Sequence, residues 1–492
     1  MSESKLSYTQ ILKSTSLFGG VQFFTIFIAV IRTKLITLLV GPLGIGVLGL
    51  LNSSMELIVG FTNFGLQTSA TKVIAECDGN ILKISKIASI VNKLVWYTGC
   101  LAFIFTILFS YWLSRVTFGN SNYTIYFIWI SISLLLKQLT SGKLAILHGL
   151  RKLNDLARAN IYGSFFGLLL TIPIYYHWKI QGIVPSIIVS SVIGYLIAFY
   201  FSNKIKLPLV QLTNQETFEE SKIILHLGIM LSLSGFITLA STYMIQIFIN
   251  RLGNIAQVGF YNAGFTILNS YVGIIFTAMT TDYFPRLTAI INNKVKVSKL
   301  LLEQATIAIL IITPIIILFL LLASIIVEVL YSKDFLIITT MISWGVLGML
   351  FKAVSWSMGF ILIAKGDSKL FIKTALGFNI ISLILNILSY YFYGLTGLGF
   401  SFLIYYFIHF YGLKIIIKKN YNLYLNSNFY KTYLLCILMC FITFVLRYIN
   451  NSVIKTVLMI IMFLCSILFS IYHLNKKINL KEIIIVKFNK KK

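Results

Sequence analysis

Charge is scarce in this 492-residue chain, and acid is scarcer still. Only 11% of the residues are Asp, Glu, Lys or Arg, against 58% hydrophobic and 15% aromatic, whereas soluble domains carry about 25% charged residues. A soluble globular enzyme could not cover its surface with so few charges. Disorder and collagen are excluded by the same figures. Cysteine is thin too: Cys77, Cys100, Cys436, Cys440 and Cys465 form no CxxC and no Cys/His pairing, so neither a metal site nor a redox pair is expected. Gly142-Lys143 is followed by Leu144 rather than Ser or Thr, so there is no phosphate-cradling P-loop and no reason to expect an ATP-driven pump. No catalytic residue and no cofactor is expected.

Long apolar runs fill the space that charge leaves. Mean hydropathy is +0.89, and a helix needs about 20 apolar residues to span the roughly 30 Å hydrocarbon core. Fourteen runs qualify: 14–39, 45–71, 87–113, 123–147, 157–177, 180–201, 223–249, 255–281, 300–323, 335–363, 370–392, 396–416, 430–448 and 453–474. They are continuous and lack the period-two alternation of about 10 residues that a transmembrane barrel shows. The expected fold class is therefore an all-α polytopic membrane protein of about fourteen transmembrane helices. The first run is too long for a cleavable signal and lacks its small-residue site.

The basic residues set the sidedness. There are 41 Lys and Arg against 14 Asp and Glu, a net charge of +27. With both termini in the cytoplasm, about 30 of the 41 bases lie on the cytoplasmic side and about 8 on the other, the asymmetry of the positive-inside rule. The expected location is the bacterial cytoplasmic (inner) membrane. The tail 475–492 holds seven lysines and reads as a topology anchor attracted to anionic lipid. Nucleic acid is not the expected partner, because the bases sit in short loops between apolar runs.

The longest loop, 203–221, carries Glu216, Glu219, Glu220 and Pro208 and divides the first twelve runs into six and six. The expected organisation is an N-terminal six-helix lobe (1–202), a cytoplasmic linker (203–221), a second six-helix lobe (222–417), an additional helix pair (418–474) and the basic tail. A weak internal repeat supports the division. Placing Gly46-Val-Leu48 on Gly259-Phe-Tyr261 aligns the second helix of each lobe without a gap, and such repeats build several transporter folds. The outer loops are about ten residues or fewer and offer no acid pair. That argues against a membrane glycosyltransferase or polymerase.

Charges inside the runs are the candidate functional groups, since each is expensive in lipid and faces a partner or a wet cavity. At 1.5 Å per residue, Arg32 lies about 13 Å below Gly41, and Glu56 about 16 Å below the start of the second run. Lys137 and Lys352 lie about 20–25 Å from the outer ends of their helices. Four helices thus bring charge to the middle and inner bilayer. Arg32 and Lys34, two apart, cannot share one helix face, so one lines a cavity while the other snorkels. Bases at this depth suit an anionic substrate, and Arg grips phosphate oxygens bidentately. The alternative is internal pairing of Glu56 with Arg32 or Lys137.

Several stretches resemble the bacterial O-antigen flippases, the Wzx-type translocases. They are Lys34-Leu-Ile-Thr-Leu-Leu-Val-Gly41-Pro-Leu-Gly-Ile-Gly46 and Gly65-Leu-Gln-Thr-Ser-Ala-Thr-Lys72-Val-Ile-Ala-Glu76 in the first lobe. In the second, Val258-Gly-Phe-Tyr261-Asn-Ala263 is followed by Ala278-Met-Thr-Thr-Asp282-Tyr-Phe-Pro285-Arg286-Leu-Thr288. A further match runs from Trp344 through Gly348, Phe351-Lys352 and Gly359 to Lys365-Gly366. The similarity covers roughly the first 420 residues. It implies the multidrug/oligosaccharidyl-lipid/polysaccharide exporter fold, two six-helix lobes around a central cavity. It also implies a function in O-antigen (lipopolysaccharide) or other surface polysaccharide biosynthesis. The cargo would be a sugar repeat unit on undecaprenyl pyrophosphate, moved from the cytoplasmic to the outer leaflet by alternating access.

Under that resemblance Arg32, Lys137, Lys352 and Glu56 are the expected substrate-binding residues. Lys34 and Arg251, at corresponding places near the outer mouth, are expected in outer gating. Asp282 and Arg286, one turn apart at the cytoplasmic mouth, are a gating pair or a substrate-admission contact, with Pro285 ending the span. Proton or sodium coupling through Glu56, Asp282 or Glu328 is an open alternative to uncoupled transport, and polysaccharide polymerase machinery is the implied partner. The competing reading is an ion-coupled exporter of small cationic drugs on the same fold. A flippase for the peptidoglycan precursor ranks below the O-antigen branch because of the run 282–288.

Overall fold

Every regular element is helical among the described residues of the computed structural model, which are 3–77, 80–208, 210 and 214–478. Ten helices are long and apolar enough to cross a membrane, or eleven if the bent pair Ile255–Thr277 and Asp282–Ile290 counts as one. Three of the ten, Phe27–Thr62, Leu153–Asn203 and Ser368–Tyr421, are 36, 51 and 54 residues long. Each contains or overlaps two expected runs and exceeds the roughly 20 residues that one crossing needs. Read as two crossings each, with the bent pair as one more, they account for the fourteen expected spans.

The elements run in chain order as α1 (Glu3–Thr62), α2 (Leu66–Ala75), α3 (Ile81–Leu108), α4 (Ser110–Phe118), α5 (Thr124–Gly149), α6 (Leu153–Trp178), α7 (Ile183–Asn203), α8 (Asn214–Leu252) and α9 (Ile255–Thr266). A π turn (Ile267–Val272) leads into α10 (Ile274–Ile290). Then come α11 (Lys294–Leu330), α12 (Thr339–Ala364), α13 (Ser368–Tyr421), α14 (Ser427–Leu446) and α15 (Ser452–Ile478). Two compact units form: the described residues to Asn262 with 330–334, and 263–329 with 335 onward. α8 begins at Asn214, inside the stretch expected as a linker, because nothing between 214 and 227 breaks a helix. Residues 479–492, most of the basic tail, lie outside the described residues.

The long helices break where glycine lets them. α1 is interrupted at Gly41 (φ 64°, ψ −169°), followed by Pro42, and α13 at Gly394 (φ 55°, ψ −139°). L-residues with a Cβ are strongly disfavoured there. The expected second run, 45–71, is divided at 63–65, where Phe64 (φ 48°) and Gly65 (φ 67°) leave the helical region. A Cβ on Gly65 would sit 2.2 Å from the carbonyl oxygen of Gly228 in α8, and one on Gly228 would sit 2.1 Å from that of Phe64. The two backbones therefore touch.

A second backbone contact carries the internal repeat. A Cβ on Gly46 would meet the Ile255 carbonyl oxygen at 1.9 Å, and one on Gly259 would meet that of Pro42 at 2.1 Å. Gly46 and Gly259 are the residues the sequence alignment equates, and the same offset equates Pro42 with Ile255. Gly49 and Asn262 also correspond, and a Cβ on Gly49 would meet the Asn262 amide nitrogen at 1.8 Å. Equivalent residues meeting one another is what a local two-fold relation between α1 and α9 produces. Gly46→Ala or Gly259→Ala should cost about 1–3 kcal/mol through overpacking against backbone. Gly194→Ala, where nothing lies within 4 Å, should be neutral or slightly stabilising. Thermal unfolding of the detergent-solubilised variants would test the difference; equal melting temperatures would contradict the close-packed crossing.

Candidate functional site

Three of the expected substrate-binding residues meet in the first compact unit. Arg32 and Glu56 come from the two sides of the α1 break, and Lys137 from α5. Together with Asn52, and Ser190 and Ser191 of α7, they line a cavity of about 380 Å³. The rest of its wall is Thr33 and the aliphatic Ala29, Ile36, Ile45, Leu48 and Ile187. Glu56 and Arg32 both act electrostatically on Lys137. Among the described residues no ion pair joins Arg32, Glu56 and Lys137, in contrast to Lys72–Glu76 and Arg286–Asp282, so the three stand apart around a shared space. Beside Arg32, the buried Tyr175 hydroxyl approaches Ser186, and neither hydroxyl completes a hydrogen bond.

Lys34 does not join this cavity. Its ammonium donates to the carbonyl oxygen of Tyr331, which belongs to the short segment 330–334 of the same unit. Arg251, at the end of α8, donates to the carbonyl oxygens of Arg115 and, at 3.2 Å, of Val116. These are terminal carbonyls of α4, where a cation also meets the negative end of the helix dipole. Asn250 donates to the Thr117 carbonyl at 2.9 Å, and the Tyr243 hydroxyl pairs with that of Thr117. One face of α8 thus holds the C-terminus of α4.

Lys352 lies in the second compact unit, in a separate cavity of about 590 Å³ lined by Asn269, Gly273, Phe276, Thr277, Thr280, Phe284, Pro285 and Trp356. Its ammonium donates to Asn269 Oδ1 at 2.8 Å. It also lies over the rings of Tyr406, Phe402 and Phe276 at 5.1, 5.7 and 5.9 Å, within cation–π range. Asn269 is presented by the π turn, a one-turn irregularity that recurs at functional sites. No lining residue carries an acid.

Asp282 and Arg286 form their one-turn ion pair at 2.9 Å, with side chains 69% and 55% exposed. The expectation that Pro285 ends the span is corrected: α10 continues through it to Ile290. A proline cannot donate to residue i−4 and collides with its carbonyl, which here is Thr281. The span bends by 51° across residues 278–281 instead, and that bend relieves the collision without ending the helix. Sequence reasoning missed Asn52, Ser190, Ser191, Asn269 and Trp356. The asparagines had a signal, as polar residues within apolar runs; the π turn had none.

The profile of a family described as polysaccharide biosynthesis protein matches residues 39–340. No curated protein matches the chain. Among solved structures, an inward-facing multidrug resistance MATE family transporter of the MOP superfamily superposes with a TM-score of 0.68 at 15% identity, covering 81% of this chain and 95% of that one. The lipid II flippase MurJ in an inward closed conformation gives 0.67 at 16% identity, covering 94% and 99%. A Vibrio cholerae MATE transporter gives 0.59 at 15% identity, covering 84% and 98%. These likenesses establish the fold.

The exposure of Asp282 and Arg286 bears on how much they hold. A double-mutant cycle of Asp282→Asn and Arg286→Gln, read by unfolding in detergent, should give a coupling below about 1 kcal/mol, the usual worth of an exposed ion pair. A larger coupling would mean that the pair locks the helix end.

Proposed function

Because this chain belongs to the polysaccharide biosynthesis protein family, we propose that it is a flippase for a lipid-linked oligosaccharide, carried on undecaprenyl pyrophosphate and destined for O-antigen or another surface polysaccharide. The observation that carries this reading is the cavity of Arg32 and Lys137, two bases beside a single carboxylate, none of them ion-paired. A cation in hydrocarbon costs about 2.5–3.5 kcal/mol even on insertion-derived scales. A pyrophosphate answers that cost with charge-assisted hydrogen bonds to the bases, and Asn52, Ser190 and Ser191 supply further donors for phosphate or sugar oxygens. The polyprenyl chain is itself as apolar as lipid and needs no wet path.

Only non-covalent contacts change during such a passage, and no catalytic residue is required. The sign of the cavity disfavours small cationic drugs, although the fold is shared with MATE transporters. Movement is from the cytoplasmic to the outer leaflet of the bacterial inner membrane, with both termini cytoplasmic. The product then passes to polysaccharide polymerase machinery. Glu56, the one acid in the cavity, is the candidate for coupling to a proton or sodium gradient.

Proteoliposomes containing the purified protein and a lipid-pyrophosphate-linked oligosaccharide provide the test, with an impermeant lectin reporting the leaflet. Protein-dependent crossing without ATP is expected. Arg32→Ala and Lys137→Ala should each lower the initial rate about tenfold or more, the loss of a charge-assisted hydrogen bond, while still inserting into the membrane. Lys352→Ala should also impair transport. Absence of crossing by the wild-type protein would shift the assignment to an ion-coupled exporter of cations; normal transport by all three variants would remove the anion-cavity mechanism.

A further inference from the structure

The cavity of the second unit has a chemistry that a phosphate site does not need. Its wall carries three aromatic side chains, Phe276, Phe284 and Trp356, and its one charge is already positioned. Trp356 is braced by Phe360, Tyr283 and Phe276 at 5.3, 5.6 and 5.8 Å between ring centroids. Tyr283 is in turn fixed by its hydroxyl, which donates to the Ser357 carbonyl at 2.9 Å. The indole therefore forms a rigid platform, pre-organised at no cost on binding.

Polar valences remain open around this platform. Lys352 spends one N–H on Asn269 and keeps two. Neither the indole N–H of Trp356 nor the Thr277 hydroxyl makes a hydrogen bond among the described residues. Thr280 donates to the Phe276 carbonyl at 2.7 Å, which leaves its oxygen free to accept. Each alternative occupant fails on one of these features. An acyl or prenyl chain would fill the aromatic wall and leave the ammonium and indole N–H unanswered. A bare phosphate would find one ammonium charge against its own two and would leave the aromatic faces unused. An organic cation would be repelled by Lys352, with no acid to offset it.

A sugar ring satisfies both halves. The C–H face of a pyranose is apolar and packs on an indole, while its ring edge carries oxygens that accept from fixed donors. The cavity volume of about 590 Å³ lies within the 300–1,000 Å³ usual for small-molecule sites. We propose that this cavity is a carbohydrate subsite, which stacks one pyranose ring of the cargo glycan on Trp356 and holds its edge oxygens with Lys352 and the indole N–H. The assignment rests on the flippase reading for the identity of the cargo, but the subsite itself can be tested without the lipid.

The experiment is saturation-transfer NMR on the full-length protein in nanodiscs, with methyl β-D-glucopyranoside, methyl β-D-galactopyranoside and methyl β-D-glucuronopyranoside as probes. At least one probe should show saturation of its ring C–H protons, about fivefold weaker in Trp356→Ala. Trp356→Phe, which keeps a ring and loses the N–H, should weaken it about twofold, as should Lys352→Met. Melting temperature and gel-filtration profile show which variants remain folded, and the Phe and Met variants decide the matter if the Ala variant does not. No ring saturation with any probe, or saturation unaltered in the folded Trp356 and Lys352 variants, overturns the subsite. A sugar signal that depends on Trp356, in a protein that moves no lipid-linked oligosaccharide, would uphold the subsite and overturn the lipid cargo.

Discussion

A cation held in a low-dielectric environment must be answered by something, and this chain supplies few internal answers. Its 14 acids face 41 bases, and Glu56 is the one carboxylate in the cavity that Arg32 and Lys137 line. Contact pairing would have made that cavity electrically closed. The separation of the three groups leaves attraction without hydrogen bonds, so the donors of both bases stay available. Lys352 is answered differently, by an amide oxygen and the faces of three rings. Those partners hold the ammonium in place while leaving its charge uncancelled.

Backbone proximity is the second constraint, and it explains where the glycines fall. In lipid no hydrophobic force draws helices together, so packing depends on how closely backbones approach. Gly46 against Ile255, and Gly259 against Pro42, bring α1 and α9 to a separation that any side chain would prevent. The contact is reciprocal across the repeat offset. The weak internal repeat is thereby given a physical basis, since corresponding positions meet only near a local two-fold axis. Gly65 and Gly228 impose the same closeness on the break before α2, where the sequence shows only an uninterrupted apolar run.

The helical class and the polytopic character were legible because hydropathy over twenty residues integrates many weak signals. The positions of Arg32, Glu56 and Lys137 were legible because charges at membrane depth are rare, and helical rise alone puts them at comparable levels. What hydropathy could not show was how helices bend. Proline was read as a terminus at position 285, whereas the chain absorbs it by bending across 278–281. The π turn at Ile267–Val272 inserts a wider turn that no composition announces, and Asn269 reaches Lys352 from it. Trp356 was invisible for another reason: an aromatic residue on an apolar helix is ordinarily core, and only its bracing and its open N–H set it apart.

For a carrier of this kind, holding too tightly is as harmful as holding too loosely, because the cargo must leave on the far side. An arginine locked to a glutamate would have to be broken for every cargo phosphate that enters and remade when it leaves. The arrangement around Glu56 avoids that exchange. Under the proposed function an arriving phosphate would meet donors that are already unengaged, and after departure the nearby carboxylate would again offset part of the positive charge without capturing it. Coulombic attraction falls only as the inverse of distance, whereas a hydrogen bond is lost within an ångström. A carboxylate placed at a distance therefore lowers the cost of the empty state while competing little with the loaded one. Changing that distance, more than changing the charge, would convert a transport cavity into either a closed structural ion pair or a trap for its own cargo.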